Sequence, residues 1–430
     1  MSPEEFYSIF LQHPQVCTDS RKITPGCLFF ALKGEHFDGN RFVTEALRQG
    51  CSYAVVDDPA AAPGDRCIRV PDVLSFLQEL AAYHRRQMPV PVLALTGTNG
   101  KTTTKELIYS VLAQERRVTV TTGNLNNHIG VPLTLLSALP GTELVVVEMG
   151  ANHPGEILFL AGITQPTHGL ITNIGKAHLA GFGSLEGVIR AKQELFDFIR
   201  TDKGYWFMNS DDEILAGMAG DYPSITYGTA PDASVRAIDK RKGVFLYPDL
   251  ILPDHSHFSV QTHLTGQYNL YNLLAAATVG FHFGLSPESI RKGIEKYKPQ
   301  NWRSQWINTG RNHLFLDAYN ANPSSMHQSI LTFFELDVPK KVLILGDMFE
   351  LGTESQAEHR LVLNLIKKLG FRNVLLVGNE FSRLASEYGF DGFREREDLI
   401  IHLSKVRLQD STVLIKGSRG MQLEKTVDYL

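Results

Sequence analysis

The chain reads as a three-domain α/β protein, and three observations carry that expectation. At 430 residues it exceeds what one compact core serves at the usual ~100–200 residues per domain. Strand-like runs alternate with helical stretches in two separate tracts, one opening near residue 89 and one after Pro299, which is the pattern of parallel, doubly wound sheets. The runs are apolar throughout rather than alternating, as they are when helices cover both faces of a sheet. The expected units are a small N-terminal α/β domain over residues 1–88, a central parallel-sheet domain over 89–299 and a C-terminal α/β domain over 300–430.

From Cys17 to about Val70, short apolar runs (CLFFAL, YAVVD) lie between Gly, Pro and Asp turns, which predicts the small first unit. SFLQELAAYHRR reads as a helix, and Pro89 and Pro91 mark a boundary, because proline suits linkers and first strand residues. VPVLALTG, KTTTKELIYSVLAQ, ELVVVEMG, THGLITNIG and SLEGVIRAKQELFDFIR then alternate strand and helix. Binding sites are expected at the C-terminal ends of those strands. Between Ser234 and Thr265 the pattern becomes short polar–apolar alternation, read as β-rich, before the helix NLYNLLAAATVGFHFG. LFLDAY, KKVLILGD, NVLLVG and TVLIKGS are the strands of the last unit.

A hydrophobic fraction of 43% with 20% charged residues is that of a globular chain, not a disordered or collagenous one. The net charge of -4 supplies no broad attraction to nucleic acid or to an anionic membrane. No apolar run reaches the ~20 residues that span a bilayer, and MSPEEFYSIF is acidic where a signal peptide would be basic. A cytoplasmic protein without membrane insertion is expected. Cys17, Cys27, Cys51 and Cys67 stand 10, 24 and 16 residues apart with no CxxC pair, so they read as reduced structural thiols.

The strand ending at Thr96 runs into Gly97, Thr98, Asn99 and Gly100, followed by Lys101, Thr102 and Thr103 at the start of a helix. Glycines let backbone N–H groups approach an anion, the helix N-terminus adds positive potential, lysine neutralises phosphate, and a threonine hydroxyl can hold Mg²⁺. The usual phosphate loop has a glycine five residues before the GK glycine; here that position is Leu95, so the loop is a shorter variant. The competing reading is a plain threonine-rich turn, against which stands the joint occurrence of strand, glycines, lysine and hydroxyls in order. Glu148 ends LVVVE, where a carboxylate can hold magnesium or merely leave a buried strand. His178 and Lys192 follow in TNIGKAHLAGFGS and RAKQELF. Taken singly, they read as a structural histidine and a lysine reaching solvent.

Together, TGTNGKTT, EMGANHPGEI, TNIGKAHLAGFGSLEGVIRAKQELF, DAYNANPSSM, LGDMFELG and KGSRGMQLE resemble the Mur ligases of peptidoglycan synthesis, over about Thr18 to Glu424. The resemblance implies a UDP-substrate domain, a central ATPase domain, and a Rossmann-like C-terminal domain that closes over the site. It implies ATP and two Mg²⁺ ions, with Lys101 on the nucleotide and Thr102 and Glu148 on magnesium. His178 becomes a ligand of the second ion, and Lys192 matches a lysine that several members carbamylate, turning a cation into an oxygen donor. Asn269 and Asn272 match positions near the adenine, and Arg303, Asp317 and Asn320 match residues that meet ATP on closure. Leu316 stands where many members have Asp or Asn. Ser20, Arg21 and Lys33 are implied at the UDP-substrate site, where cations answer the diphosphate; Asn126 and Asn127 are implied near the acceptor.

Within the family, EMGANHPGEI, DAYNANP and LGDMFELG point to the member that joins D-alanyl-D-alanine to UDP-N-acetylmuramoyl-tripeptide through an acyl phosphate, and the resemblance, not these motifs, implies a monomer. The alternatives are a ligase adding an amino acid such as diaminopimelate or lysine, a folylpolyglutamate synthase, a phosphate-loop kinase, and a nucleotide-binding module without ligase activity. The third residue of the tripeptide is not legible in the chain.

Overall fold

The computed structural model describes residues 1–61, 64–240 and 243–430. Each of the three expected α/β units has its own sheet. The N-terminal unit opens with the helix Pro3–Gln12, started by a capping box between Ser2 and Glu5. Its strands are β1 (Val16–Cys17), β2 (Leu28–Phe30), the hairpin β3 (Lys33–Gly34) and β4 (Phe37–Asp38), β5 (Tyr53–Val56) and β6 (Cys67–Arg69). The order β1-β2-β5-β6 is parallel throughout. Cys27 and Cys51 are buried on one face of this sheet, Cys17 and Cys67 pack partly buried against them, and all four are free thiols.

The central sheet contains β7 (Val92–Thr96), β8 (Val118–Val120), β9 (Leu144–Glu148), β10 (His168–Ile171), β11 (Tyr205–Asn209), β12 (Ser224–Gly228), β13 (Val235–Asp239), β14 (Pro248–Ile251) and β15 (His257–Ser259). Their order is β15-β14-β13-β12-β11-β10-β7-β9-β8. The sheet is parallel from β8 to β13 and antiparallel at β13-β14-β15, so the β-rich tract is its far edge. Along β7, Val92 and Ala94 enter one core while Leu93 and Leu95 enter the other. Helices Gly130–Leu136, Glu156–Thr164 and Leu185–Thr201 cover the first face; Lys101–Leu112, Gln267–His282 and Pro287–Lys296 cover the second. That double burial explains the unbroken apolar runs, each Val or Leu contributing about 1.5–3 kcal/mol. The helix Val73–Gln87 packs on the first face as well, so the N-terminal and central cores run into each other. The chain moves from β7 to β8 and β9 on one side and returns to β10 on the other, which makes the end of β7 the topological switch point.

The C-terminal sheet has β16 (Gln305–Asn308), β17 (His313–Asp317), β18 (Lys341–Gly346), β19 (Asn373–Val377), β20 (Asp391–Phe393) and β21 (Thr412–Lys416), in the order β16-β17-β21-β18-β19-β20. Only β16 runs antiparallel. The apolar runs locate β17, β18, β19 and β21; β16 and β20 escape that pattern because they are short, partly exposed edges. Leu179, which belongs to the chain of the central domain, is buried in the C-terminal core beside Met348 and Leu351. The two domains are docked together through it.

Candidate active site between the central and C-terminal domains

The turn after β7 is shaped by two glycines. Gly97 has φ +143°, and a Cβ there would lie 2.0 Å from Thr172 Oγ1; Gly100 has φ +77°, and its Cβ would lie 2.7 Å from Asn272 Oδ1. Side chains are excluded at both. The loop is tied to the end of β10: Thr98 N donates to Asn173 O at 2.9 Å, and Asn99 N to Asn173 Oδ1 at 3.0 Å. The helix Lys101–Leu112 follows directly, with Gly100 as N-cap and no side-chain cap, leaving its first-turn N–H groups for an anion. The Lys101 ammonium curls over the loop to Gly97 O at 2.7 Å and Thr98 O at 3.0 Å. Burial lowers its pKa to about 8; the charge of Glu148 opposes that shift and Arg303 reinforces it.

Glu148, the last residue of β9, is 1% exposed. Its Oε1 accepts from Thr102 Oγ1 at 3.2 Å and from Asn126 Nδ2 at 2.8 Å, while Oε2 is buried without a hydrogen-bond partner. An orphaned carboxylate oxygen beside a threonine hydroxyl, next to a phosphate loop, is a donor set that fits magnesium, which keeps water and phosphate in its other positions. Among the described residues no group of three or more His, Cys, Asp and Glu side chains is placed to hold a metal ion. Lys105 Nζ stands 3.7 Å from Oε2, almost wholly buried.

His178 adopts φ +50° at the N-cap of the turn Leu179–Phe182 and lines the same cavity. Its Nδ1 is paired with the Glu350 carboxylate of the C-terminal domain. Burial lowers its pKa, Glu350 opposes and Lys101 reinforces that shift. Lys192 corrects the single-residue reading: it is 2% exposed rather than reaching solvent, with Nζ 5.6 Å from the centroid of the Phe182 ring. It is not among the residues that line the cavity, and burial first, then the charge of Lys101, lowers its pKa to about 7.

The cavity holds about 490 Å³ and is lined from both domains. Thr98, Asn99, Gly100, Lys101, Thr102, Thr103, Asn126, Asn127, Glu148 and His178 form the central-domain wall, with Asn269 and Asn272; Arg303, Asp317 and Asn320 face them. The Arg303 guanidinium lies 3.5 Å from the Tyr319 ring centroid. Asp317 accepts from Lys416 Nζ at 2.5 Å, Ser329 Oγ at 2.8 Å and Ser304 N at 3.1 Å. Burial raises its pKa, but the charge and hydrogen bond of Lys416 with the other donors hold it below the usual value. Leu316 packs in the C-terminal core, so its apolar character suits the place it occupies.

Several expected residues have partners within the chain. Asn272 Oδ1 accepts from Thr104 Oγ1 at 3.0 Å and lies against Gly100, while Asn269 Nδ2 donates to Thr265 O at 2.7 Å. Asn272 thus buttresses the phosphate loop. Asn127 Oδ1 accepts from Ile129 N at 3.1 Å and Gly130 N at 2.9 Å, in the turn that leads into the helix Gly130–Leu136. Ser20, Arg21 and Lys33 do not join the cavity: Arg21 pairs with Asp19 at 2.9 Å, and Lys33 with Asp57 at 2.7 Å, on the N-terminal domain. The residues that sequence reasoning passed over are Lys416, Asn322 and Lys105. Lys416 ends a parallel strand as Glu148 does, and the strand-end rule would have found it. Asn322, whose Nδ2 donates to Asn99 Oδ1 at 2.8 Å, lies within DAYNANP. Nothing in the pattern marks Lys105, since a helical lysine ordinarily snorkels out.

A glycine turn, lysine and buried carboxylate at the switch point of a parallel sheet, roofed by a second α/β sheet, define a multidomain phosphate-loop nucleotide enzyme. Family models match in three consecutive stretches: the Mur ligase family catalytic domain at residues 14–85, the Mur ligase middle domain at 95–280 and the Mur ligase glutamate ligase domain at 302–419. The chain belongs to the Mur ligase family. It is 36% identical to the UDP-N-acetylmuramoyl-tripeptide–D-alanyl-D-alanine ligase of Escherichia coli K12, over 96% of this chain and 93% of that protein. It is 34% identical to the Bacillus subtilis ligase of the same name, over 96% and 92%. Among solved structures, MurF from Acinetobacter baumannii superposes with a TM-score of 0.86 at 32% identity, covering 96% of this chain and 92% of that one. The MurF ligase from Thermotoga maritima in complex with ADP superposes at 0.84 and 26% identity, covering 97% of each.

Proposed function

We propose that this chain joins D-alanyl-D-alanine to UDP-N-acetylmuramoyl-tripeptide at the cost of ATP, giving UDP-N-acetylmuramoyl-pentapeptide, ADP and phosphate. The observation that carries the reading is the juxtaposition of the phosphate loop with the orphaned Oε2 of Glu148, in a cavity walled by two domains. Relatives of that name matching almost end to end support the choice of substrates. The spans 1–88, 89–299 and 300–430 belong to the same proposal, with one principal sheet in each.

In this reading the terminal carboxylate of the tripeptide attacks the γ-phosphorus of ATP, and ADP leaves. The neutral dipeptide amine then attacks the acyl carbon, one N–H proton passes to solvent, and the tetrahedral adduct collapses with loss of phosphate. The helix N-terminus and Lys101 bind the triphosphate, and Arg303 approaches it from the other domain; phosphoryl transfer asks mainly for alignment and charge neutralisation. Thr102 and Glu148 would hold one magnesium, and His178 with a carbamylated Lys192 a second. Bound magnesium would supply charge neutralisation between carboxylate and triphosphate. Thr102 and Asn126 engage Glu148 Oε1, and Oε2, ion-paired with Lys105 at 3.7 Å but without a hydrogen bond, is the oxygen that would turn to the metal.

Phosphate release with ATP, magnesium and UDP-N-acetylmuramoyl-tripeptide, with and without D-alanyl-D-alanine, tests the reading. Release that requires the dipeptide is expected. Dependence on diaminopimelate or lysine with the dipeptide-level substrate, a stable phosphorylated product, or no release at all would each replace it.

A further inference from the structure

We propose that Glu350 is a positioning residue: delivered by the C-terminal domain, its carboxylate takes Nδ1 of His178 and thereby fixes Nε2 as the nitrogen available for metal. The inference rests on the reading of His178 as a metal ligand. His178 lies in the central-domain segment between β10 and the helix Leu185–Thr201, whereas Glu350 lies in the loop after β18. With Nδ1–H donated to a carboxylate, the lone pair of the neutral ring resides on Nε2.

A simple interdomain ion pair is the competing account. The Glu350 side chain is 58% exposed, and an exposed pair contributes little as adhesive. The same contact has stronger ties that do not need this carboxylate. Leu179 is buried in the C-terminal core, and Ala180 N donates to Glu350 O at 3.1 Å. Lys176 Nζ pairs at 2.7 Å with buried Glu358, and Lys176 N donates to Ser324 Oγ at 2.8 Å. What the Glu350 carboxylate alone adds is the choice of imidazole nitrogen. Its backbone supports a precise placement: His178 and Glu350 have φ +50° and +62°, left-handed conformations that side chains adopt at a cost and that surrounding contacts must hold.

The test uses the full chain with ADP and Mn²⁺ as the probe, measuring free Mn²⁺ by electron paramagnetic resonance, alongside the Mg²⁺ dependence of phosphate release. Glu350→Ala should weaken Mn²⁺ binding by about 10–100-fold, the usual effect of losing a carboxylate behind a metal-binding histidine. Glu350→Gln, whose amide oxygen still accepts from Nδ1, should stay within a few-fold of the parent, and the KM for the dipeptide should not move. In a His178→Ala background, Glu350→Ala should have no further effect. If His178→Ala weakens Mn²⁺ binding and Glu350→Ala does not, the positioning role is wrong while the ligand role stands. If neither does, the ligand reading of His178 falls. Additive losses in the double variant would place the action of Glu350 elsewhere. Melting curves matching the parent exclude unfolding as the source, and Glu350→Gln preserves the side-chain shape if the alanine variant does not fold.

Discussion

Lys192 offers the most quantitative test of the metal chemistry. Its pKa of about 7 follows from burial and from the nearby positive charge of Lys101. An ordinary lysine at pH 7.5 is about 0.1% neutral, whereas one titrating near 7 is about three-quarters neutral, a gain of several hundred-fold in the nucleophilic form. In the proposed carbamylation that neutral nitrogen would attack CO₂; the N–C bond would form, one N–H proton would pass to solvent, and the product would be an anionic carbamate. The charge facing Lys101 would then change from repulsive to attractive, which would favour the product further. Protein equilibrated with ¹³C-bicarbonate should show a carbamate resonance that is absent in Lys192→Ala and half-developed near pH 7 rather than near 10. Activity should fall in CO₂-free buffer and return with bicarbonate, and short carboxylates should partly restore Lys192→Ala. The absence of the resonance together with bicarbonate-independent turnover would refute the carbamate.

Three further outcomes are expected. Glu148→Gln removes one anionic oxygen from the buried pair while keeping the acceptor for Thr102, so turnover should drop by more than about 100-fold with an unchanged circular dichroism spectrum; near-normal rates would remove Glu148 from the metal site. Gly97→Ala sets a Cβ 2.0 Å from Thr172 Oγ1 at φ +143°, and should abolish ATP binding by calorimetry while costing about 1–3 kcal/mol of stability in urea melts. His168, stacked on Tyr205 and with Nε2 3.0 Å from His282 Nε2, has its pKa lowered to about 3 by burial and then by His282. It is therefore neutral when folded while the unfolded chain binds its proton below about 6.5, so its stabilising contribution is complete above that pH and lost as pH falls toward 3. About 2 kcal/mol should be gone by pH 5, and His168→Phe should flatten that slope in thermal melts followed from pH 7 to pH 5.

Much of the architecture is local information. Unbroken apolar runs such as VLALT and LVVVE, short, rich in β-branched residues and bounded by turn residues, read as strands covered on both faces, and a glycine turn between strand and helix fits a phosphate loop. The phosphate loop, the strand-end carboxylate and the alternation of elements were therefore legible in the chain by itself. Edge strands β16 and β20 were not, because they are short and partly exposed and so carry no buried run.

Only the tertiary structure decided what the single residues do. Lys192 and Lys105 look like any helical lysines in the chain; their burial comes from elements distant in sequence, and with it the lowered pKa of one and the proximity of the other to Glu148. The amide of Asn272 meets a loop 172 residues before it, at Gly100, because the helices Gln267–His282 and Lys101–Leu112 share one face of the sheet. His178 meets Glu350 across two sheets with no sequence pattern joining them. Strand and helix periodicity is written every few residues, whereas the distances that set charge and hydrogen-bond partners exist only once the chain has folded and, for His178 and Glu350, once the domains have packed together.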